Sequence, residues 1–180
     1  GESDPEGCAA CQGPPLAYRT GTMYSSYTAA SFARKHDLAR RHGVNLEGAL
    51  TWAFEFEDQP YFAGFRALAT NGIPLPVLNV FRMFSKMRGQ RVAARSSAEV
   101  PLDAILADGV RGAPDVAAFA SLEPNRLAVM AWQSVVSFAR WSPGGRLHMK
   151  LFAPVTGSSK GGVTHGCRCA PISQRPARAQ

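Results

Sequence analysis

The sequence predicts an α/β fold, with helices and strands alternating in its first half and a smaller β-domain behind them. Three observations support this prediction: two segments with helical signals, a nearly continuous apolar run between them, and several short apolar segments further along the chain. Hydrophobic residues make up 46% of the 180 residues, so the chain can bury a sizeable core.

The first helix is predicted over residues 28–42. Thr28 is an acceptable N-cap, because its hydroxyl can accept a hydrogen bond from a backbone amide at the helix start. Basic residues occupy the last turn, and Gly43 follows at the position where helices often end in a left-handed residue. Residues 48–56 then read GALTWAFEF, which predicts a strand of a parallel sheet covered on both sides.

A second helix is predicted after a long loop that runs from Glu57 to about Leu75. Pro76 suits the first helical turn, because a residue there needs no backbone donor, and Gly89 ends the segment. Apolar residues spaced three and four apart give this helix one hydrophobic face. They are Val77, Val80, Phe81, Phe84 and Met87.

Beyond Gly89 the pattern changes to short apolar segments separated by Asp, Gly and Pro. These segments predict antiparallel strands of a small β-domain at residues 91–95, 116–121 and 126–132, with a further strand at residues 148–153. The chain therefore divides into three predicted parts, at residues 1–89, 90–132 and 133–180.

The net charge of +7 is confined to the end of the chain. Residues 1–133 carry 13 Lys and Arg against 13 Asp and Glu, whereas residues 134–180 carry 7 basic residues and no acid. A basic tail can bind phosphates by releasing counterions, but a solvated, unstructured tail has the same composition. We therefore expect no nucleic-acid partner.

No membrane segment is predicted, because no run of 18 apolar residues occurs. The chain opens without a basic-then-apolar leader, so no signal peptide is expected. These features assign no cellular compartment.

Four cysteines form two close pairs, Cys8 with Cys11 and Cys167 with Cys169. A zinc site would require the sulfurs to converge from the two ends of the chain. Glycine and proline around the first pair indicate a loop rather than a redox-active helix start. We therefore expect free or loop-stapling cysteines, and neither a metal nor another cofactor.

Carboxylates and aromatic rings gather where the predicted strand at residues 48–56 ends. In α/β folds, functional groups collect at the carboxyl ends of strands. Flat rings stack on the C–H face of a pyranose, while carboxylates hold hydroxyl groups or act on the anomeric carbon. Two plainer interpretations stay open: the acidic residues are solvated loop residues, or Trp52 is part of the hydrophobic core. The group comprises Trp52, Glu55, Glu57, Asp58, Tyr61, Phe62 and Phe65.

Two long segments resemble the β-xylosidases of glycoside hydrolase family 39. Residues 47–87, EGALTWAFEFEDQPYFAGFRALATNGIPLPVLNVFRMFSKM, are similar to the last barrel strand, its loop and the last helix of that family. Residues 1–36, GESDPEGCAACQGPPLAYRTGTMYSSYTAASFARKH, resemble the end of its seventh strand. The E-x-D-P opening also resembles the related α-L-iduronidases, and the whole resemblance covers about residues 1–132.

The resemblance implies the C-terminal part of a (β/α)8 TIM barrel, followed by part of a small β-sandwich domain, and a retaining mechanism. The family's nucleophile matches Glu2, whose carboxylate would attack the anomeric carbon. Arg19 would keep that carboxylate ionised, and Trp52 would form the floor of the sugar site. The implied substrate is a xyloside or xylo-oligosaccharide. The other substrate-binding candidates are Glu55, Glu57 and Phe62.

One half of the catalytic pair is missing from the chain. The family's general acid/base is a Glu preceded by Asn, and no Asn-Glu dipeptide occurs here. Retaining hydrolysis needs two carboxyl groups roughly 5 Å apart, so we expect the chain to be inactive alone. The expected partner is the missing N-terminal half of the barrel.

Two alternative functions are a carbohydrate-binding remnant that does not cleave the sugar and a nucleic-acid binder that uses the basic tail. Beyond about Gln133 the acid-free composition departs from the family. This departure predicts a tail that is out of frame or foreign to the family.

Overall fold

The computed structural model describes residues 7–51, 58–110 and 113–134, together with the backbone of Met149–Phe152. Within these ranges the chain combines helices with two small antiparallel sheets, which confirms a mixed helix-and-sheet fold. Every described strand pair is antiparallel, and no barrel closes among the described residues. The described part of the chain is therefore of the α+β kind.

The first helix, α1, spans Thr22–His42 and begins earlier than the predicted Thr28. Gly21 is extended and separates α1 from the preceding 3-10 helix, Pro14–Thr20. Thr28 is buried within α1, where its hydroxyl donates to the carbonyl oxygen of Tyr24 at 2.8 Å. Because this hydroxyl is satisfied by the preceding turn, the N-cap prediction is wrong.

Gly43 ends α1 as predicted. Its φ angle of 64° is left-handed, a conformation that glycine adopts without the penalty of a side chain. The amide of Gly43 donates to the carbonyl oxygens of Ala39 and Arg40, and the amide of Val44 reaches Ala39 at 2.8 Å. These bonds satisfy carbonyl groups that the end of the helix would otherwise leave open.

The predicted strand at residues 48–56 is not found over residues 48–51, its described part before the gap. No described strand pairs with these residues, so an apolar composition alone does not make them a strand. The remaining residues of that prediction lie outside the described part of the chain.

A hairpin lies within the segment predicted as one long loop. It pairs β1, Ala69–Thr70, with β2, Ile73–Pro74. Asn71 and Gly72 form the turn, with φ angles of 45° and 79°. An Asn-Gly dipeptide favours such two-residue turns, because both central residues need a positive φ angle. This dipeptide is the signal that identifies the hairpin and corrects the loop prediction.

The second helix, α2, spans Pro76–Phe84, with its proline in the first turn as predicted. The two valines of the predicted face are buried and its two phenylalanines pack against the hydrophobic clusters, so this face is confirmed. The helix ends before Gly89. Ser85 caps it, since the Ser85 hydroxyl donates to the carbonyl oxygen of Arg82 at 2.8 Å.

Four strands form the larger sheet in the order β5-β4-β3-β6. Their bounds are Gln90–Ser96 for β3, Asp115–Glu123 for β4, Arg126–Ser134 for β5 and Met149–Phe152 for β6. The hairpin of β4 and β5 and the pairing of β3 with β4 and β6 confirm the predicted antiparallel strands. A short helix that was not predicted, α3, Leu102–Asp108, connects β3 to β4.

Gly89 brings the start of β3 close to the end of β4. Its φ angle is 82°, and a Cβ atom at this position would lie 2.2 Å from the carbonyl oxygen of Leu122. Both the backbone angle and the close approach therefore require glycine. Its role is to begin β3 rather than to end α2.

α1 packs across one face of the larger sheet and against α2. Small side chains on α1 allow its backbone to approach the strands closely, which favours dense packing. The hydrophobic cluster between α1, α2 and the larger sheet contains residues from both sides of the predicted boundary between residues 89 and 90. The division into domains stays a prediction. The buried members of the cluster are Ala29, Ala30, Ala33, Val80, Ala117, Met130 and Trp132.

Asp115 at the start of β4 carries a buried charge, with 3% of its surface exposed. Its carboxylate pairs with Arg34 of α1. It also accepts hydrogen bonds from the Val100 amide at 2.8 Å and from the Trp132 indole at 3.4 Å. Burial raises the pKa of nearby Glu99, and the negative charge of Asp115 adds to that effect. The network ties α1 to the larger sheet.

We predict that Asp115→Asn lowers the free energy of unfolding by about 3 kcal/mol, because Arg34 loses the partner of a buried ion pair. The matched control is Asp103→Asn, which removes the partner of Arg41 in a pair where Asp103 is 80% exposed. The control should cost less than about 1 kcal/mol. Urea unfolding measures both changes, and equal losses would contradict the assigned role of burial.

Candidate functional site

The predicted site residues Arg19 and Phe62 lie in the described part of the chain. Arg19 lies in the 3-10 helix Pro14–Thr20, and Phe62 lies in the loop before the β1-β2 hairpin. The candidate site is therefore built from these two residues and the groups around them. The other predicted site residues, Glu2, Trp52, Glu55 and Glu57, lie outside the described residues.

The Arg19 guanidinium is buried, with none of its residue surface exposed to solvent. Its Nη2 donates to the carbonyl oxygen of Cys8 at 2.7 Å. Its Nη1 donates to three further carbonyl oxygens at 3.3–3.4 Å, those of Ala9, Cys11 and Gly64. These carbonyl oxygens replace water around the buried charge. Because they come from residues 8–11 and from Gly64, Arg19 joins two loops that are far apart in sequence.

The 3-10 helix Pro14–Thr20 places Arg19 between these loops. Proline begins this helix, where its fixed φ angle suits a helical start. Just before the helix, the Gly13 amide donates to the carbonyl oxygen of Ala63 at 3.1 Å. Gly64 has a φ angle of 96°, and a Cβ there would lie 3.3 Å from the backbone of Leu16. A glycine at this position thus lets the second loop contact the helix.

Residues 7–13 form a cysteine loop that is closed by a disulfide between Cys8 and Cys11. The first cysteine pair therefore forms a disulfide within a loop, which was one of the two predicted possibilities. Cys167 and Cys169 lie outside the described residues. Ala9, between the two bridged cysteines, is buried, and its carbonyl oxygen accepts a bond from the Arg66 amide at 3.1 Å.

Arg66 is a second buried arginine, with 1% of its surface exposed. Its backbone amide binds the cysteine loop, so Arg66 joins the two loops through its backbone, whereas Arg19 joins them through its side chain. Burying guanidinium groups is costly unless polar or negative groups surround them. The sequence prediction did not include Arg66; the signal for it is one charged residue within the apolar run AGFRALA.

Residues 59–65 form an aromatic loop that presents Tyr61 and Phe62 to solvent, with exposed fractions of 60% and 51%. Their ring centroids lie 6.4 Å apart. Phe62 has a φ angle of 55°, which is unusual for a bulky side chain and costs on the order of 1–3 kcal/mol. A hydrogen bond of 3.1 Å from its amide to the Thr70 hydroxyl helps to hold this conformation.

The aromatic loop and the β1-β2 hairpin surround a small depression. A hydrogen bond of 3.0 Å from the Asn71 side chain to the Gln59 carbonyl oxygen joins its two walls. Phe62, Leu75 and Thr20 lie in the lining, and the Thr20 hydroxyl donates to the carbonyl oxygen of Ala17 at 2.8 Å. The depression thus combines an aromatic ring with polar side chains, and an aromatic ring can stack on the C–H face of a sugar.

No metal site is formed in the described ranges, because no three His, Cys, Asp or Glu side chains are grouped to bind an ion. Among the same residues, no helix combines the length and the apolar character needed to cross a bilayer. Comparison of the chain with protein families, with curated proteins and with solved structures found no match.

We predict that Arg19→Lys lowers the free energy of unfolding by about 3 kcal/mol, since an ammonium group cannot reproduce the forked contacts of a guanidinium with several carbonyls. The control is Arg82→Lys, at an exposed residue that donates to the Asn79 side chain at 3.1 Å. Its effect should stay within about 0.5 kcal/mol. Chemical unfolding of both variants tests the difference, and a stable Arg19→Lys variant would contradict it.

Proposed function

We propose that the chain is the C-terminal part of a retaining glycosidase of the β-xylosidase type, with a (β/α)8 barrel followed by part of a β-sandwich domain. The observation that supports this most is the arrangement of the aromatic loop. It presents Tyr61 and Phe62 to solvent, while the carbonyl group of Gly64 binds buried Arg19. Exposed rings next to a buried cationic junction suit a site that holds a sugar and an ionised carboxylate.

The strained backbone of Phe62 supports a binding role for the aromatic loop. Bulky residues with a positive φ angle persist only where their surroundings hold them, and such residues cluster at functional sites. Half of the Phe62 surface is exposed, so burial of its ring does not explain the conformation. A sugar ring stacked on Phe62 would cover this exposed surface.

In the proposed mechanism Glu2 is the nucleophile. Its carboxylate attacks the anomeric carbon, the bond to the leaving oxygen breaks, and water later cleaves the glycosyl-enzyme ester. Arg19 contributes positive charge that favours the ionised carboxylate. The general acid/base comes from the N-terminal half of the barrel, so the chain alone does not hydrolyse its substrate. The residues proposed to hold the sugar are Trp52, Glu55, Glu57 and Phe62.

A second candidate function is carbohydrate binding without cleavage. The exposed pair Tyr61 and Phe62 favours it, because aromatic stacking does not require a catalytic pair. The two functions differ in one observable. Only the glycosidase gains hydrolytic activity when the chain is joined to an N-terminal barrel half that carries an Asn-Glu motif.

Activity of the rejoined enzyme on an aryl β-xyloside tests the glycosidase function. We expect Glu2→Gln to lower kcat/KM roughly 10³-fold or more, because the covalent intermediate no longer forms. Glu47→Gln is the control, since Glu47 is an exposed loop residue whose carboxylate contacts Asn45. Full activity of the Glu2→Gln enzyme would show that the nucleophile is another residue.

Binding of a xylo-oligosaccharide to the chain itself tests the role of the aromatic loop. Phe62→Ala should weaken binding about 3- to 10-fold by loss of stacking. Leu127→Ala removes a similarly exposed side chain from β5 and should leave the affinity unchanged. Isothermal titration calorimetry measures both constants. Equal affinities for all three proteins would exclude Phe62 from the sugar site.

A further inference from the structure

The Cys8–Cys11 disulfide lies at the surface directly above the buried Arg19 contacts. Both cysteines are exposed, whereas the carbonyl groups of the same residues point inward and accept hydrogen bonds from Arg19. We propose that this disulfide is a thiol–disulfide exchange site for a dithiol reductant, and that its reduction loosens the cysteine loop and the aromatic loop together.

Access to the disulfide is open on the described surface. Within the cysteine loop, Gly7, Ala10 and Gln12 are exposed like the cysteines themselves. An attacking thiolate needs a clear approach to one sulfur of the bridge, and exposed disulfides meet this condition. The bridge is therefore a modification site rather than a buried structural crosslink.

The exchange step balances with a dithiol as the reductant. One thiolate of the dithiol attacks the Sγ of Cys8 or Cys11, the bond between the two cysteines breaks, and a mixed disulfide forms. The second thiolate of the dithiol then displaces the bound cysteine. The reductant leaves as a disulfide, and both cysteines of the chain gain one electron and one proton each.

The disulfide restricts the backbone of the cysteine loop, whose carbonyl oxygens accept hydrogen bonds from Arg19. The disulfide joins residues whose Cα atoms are 5.4 Å apart, and the carbonyls of Cys8, Ala9 and Cys11 converge on one guanidinium. Holding three carbonyl groups of one short segment at a single point costs backbone entropy, and the disulfide lowers that cost. Reduction restores backbone freedom to this segment, so each of the three hydrogen bonds becomes harder to keep.

The effect extends to the aromatic loop through two backbone bonds. The Arg66 amide donates to the Ala9 carbonyl oxygen and the Gly13 amide donates to the Ala63 carbonyl oxygen, both at 3.1 Å. These bonds and the Arg19 contact with Gly64 join the two loops. When the cysteine loop opens, residues 63–66 therefore lose partners as well.

Hydrogen exchange of the full chain, followed by mass spectrometry, tests this proposal with dithiothreitol as the dithiol. Reduction should raise the exchange rates of the peptides that contain Gly13 and Arg66, whose amides bond across the two loops, at least about tenfold, which corresponds to roughly 1.4 kcal/mol. Exchange within α1 should stay unchanged, because the core of that helix lies on the larger sheet.

Two variants assign the effect to one cysteine pair. Cys8→Ser with Cys11→Ser should show the fast exchange with or without dithiothreitol. Cys167→Ser with Cys169→Ser should respond to the reductant as the parent chain does. The proposal is overturned if the parent shows no Cys8–Cys11 crosslink by peptide mapping, or if reduction leaves exchange of both loops unchanged.

A consequence for catalysis rests on the proposed function, since Glu2 precedes the cysteine loop in the sequence. In the rejoined enzyme, reduction should lower kcat/KM on an aryl β-xyloside, and the Cys8→Ser, Cys11→Ser enzyme should not respond. An enzyme inactive in both redox states would refute the glycosidase function while the exchange result still decides the loop proposal. An active enzyme that ignores reduction would refute the catalytic consequence alone.

Discussion

The buried guanidinium of Arg19 is the interaction on which the arrangement of the candidate site depends. A charge without solvent contact needs other polar groups, and here carbonyl oxygens from two loops surround it. One of these loops is closed by the Cys8–Cys11 disulfide, and the other continues from the exposed aromatic rings through Gly64. The position of the rings therefore follows from a hydrogen-bond requirement in the interior. The core of α1 and the larger sheet forms by a different means, the burial of apolar side chains.

The sequence predicted those elements whose structure depends mainly on residues close to one another in the chain. Gly43 ends α1 because a left-handed residue is needed there, and the hydrophobic face of α2 follows from helical spacing. The prediction at Thr28 was wrong because a threonine hydroxyl can cap a helix start or bond to the preceding turn inside a helix, and the sequence does not distinguish the two. The prediction of a strand was wrong over residues 48–51 too, because a strand forms only where a neighbouring strand pairs with it.

The chemistry of the candidate site was only partly readable from sequence. Residue types indicated Phe62 as part of a sugar-binding site, whereas Arg19 was implied by the resemblance to the glycosidases. Spacing alone did not reveal that Arg19 would bind carbonyls contributed in part by Gly64, because that contact depends on how distant segments pack. Arg66 was overlooked for the same reason, since an arginine in an apolar run becomes informative only when its burial is known. The glycosidase proposal therefore combines a resemblance in sequence with the geometry of one junction.

Native-state hydrogen exchange of the Gly13 and Arg66 amides, followed as denaturant is added, tests most directly whether Arg19 holds the two loops together. Each of these amides bonds one loop to the other. If Arg19 holds both loops as one unit, the two amides should exchange through a single opening, with the same free energy and the same denaturant dependence. In Arg19→Lys both should lose protection together. Independent opening of the two amides, or unchanged protection in that variant, would contradict the central role of the Arg19 guanidinium.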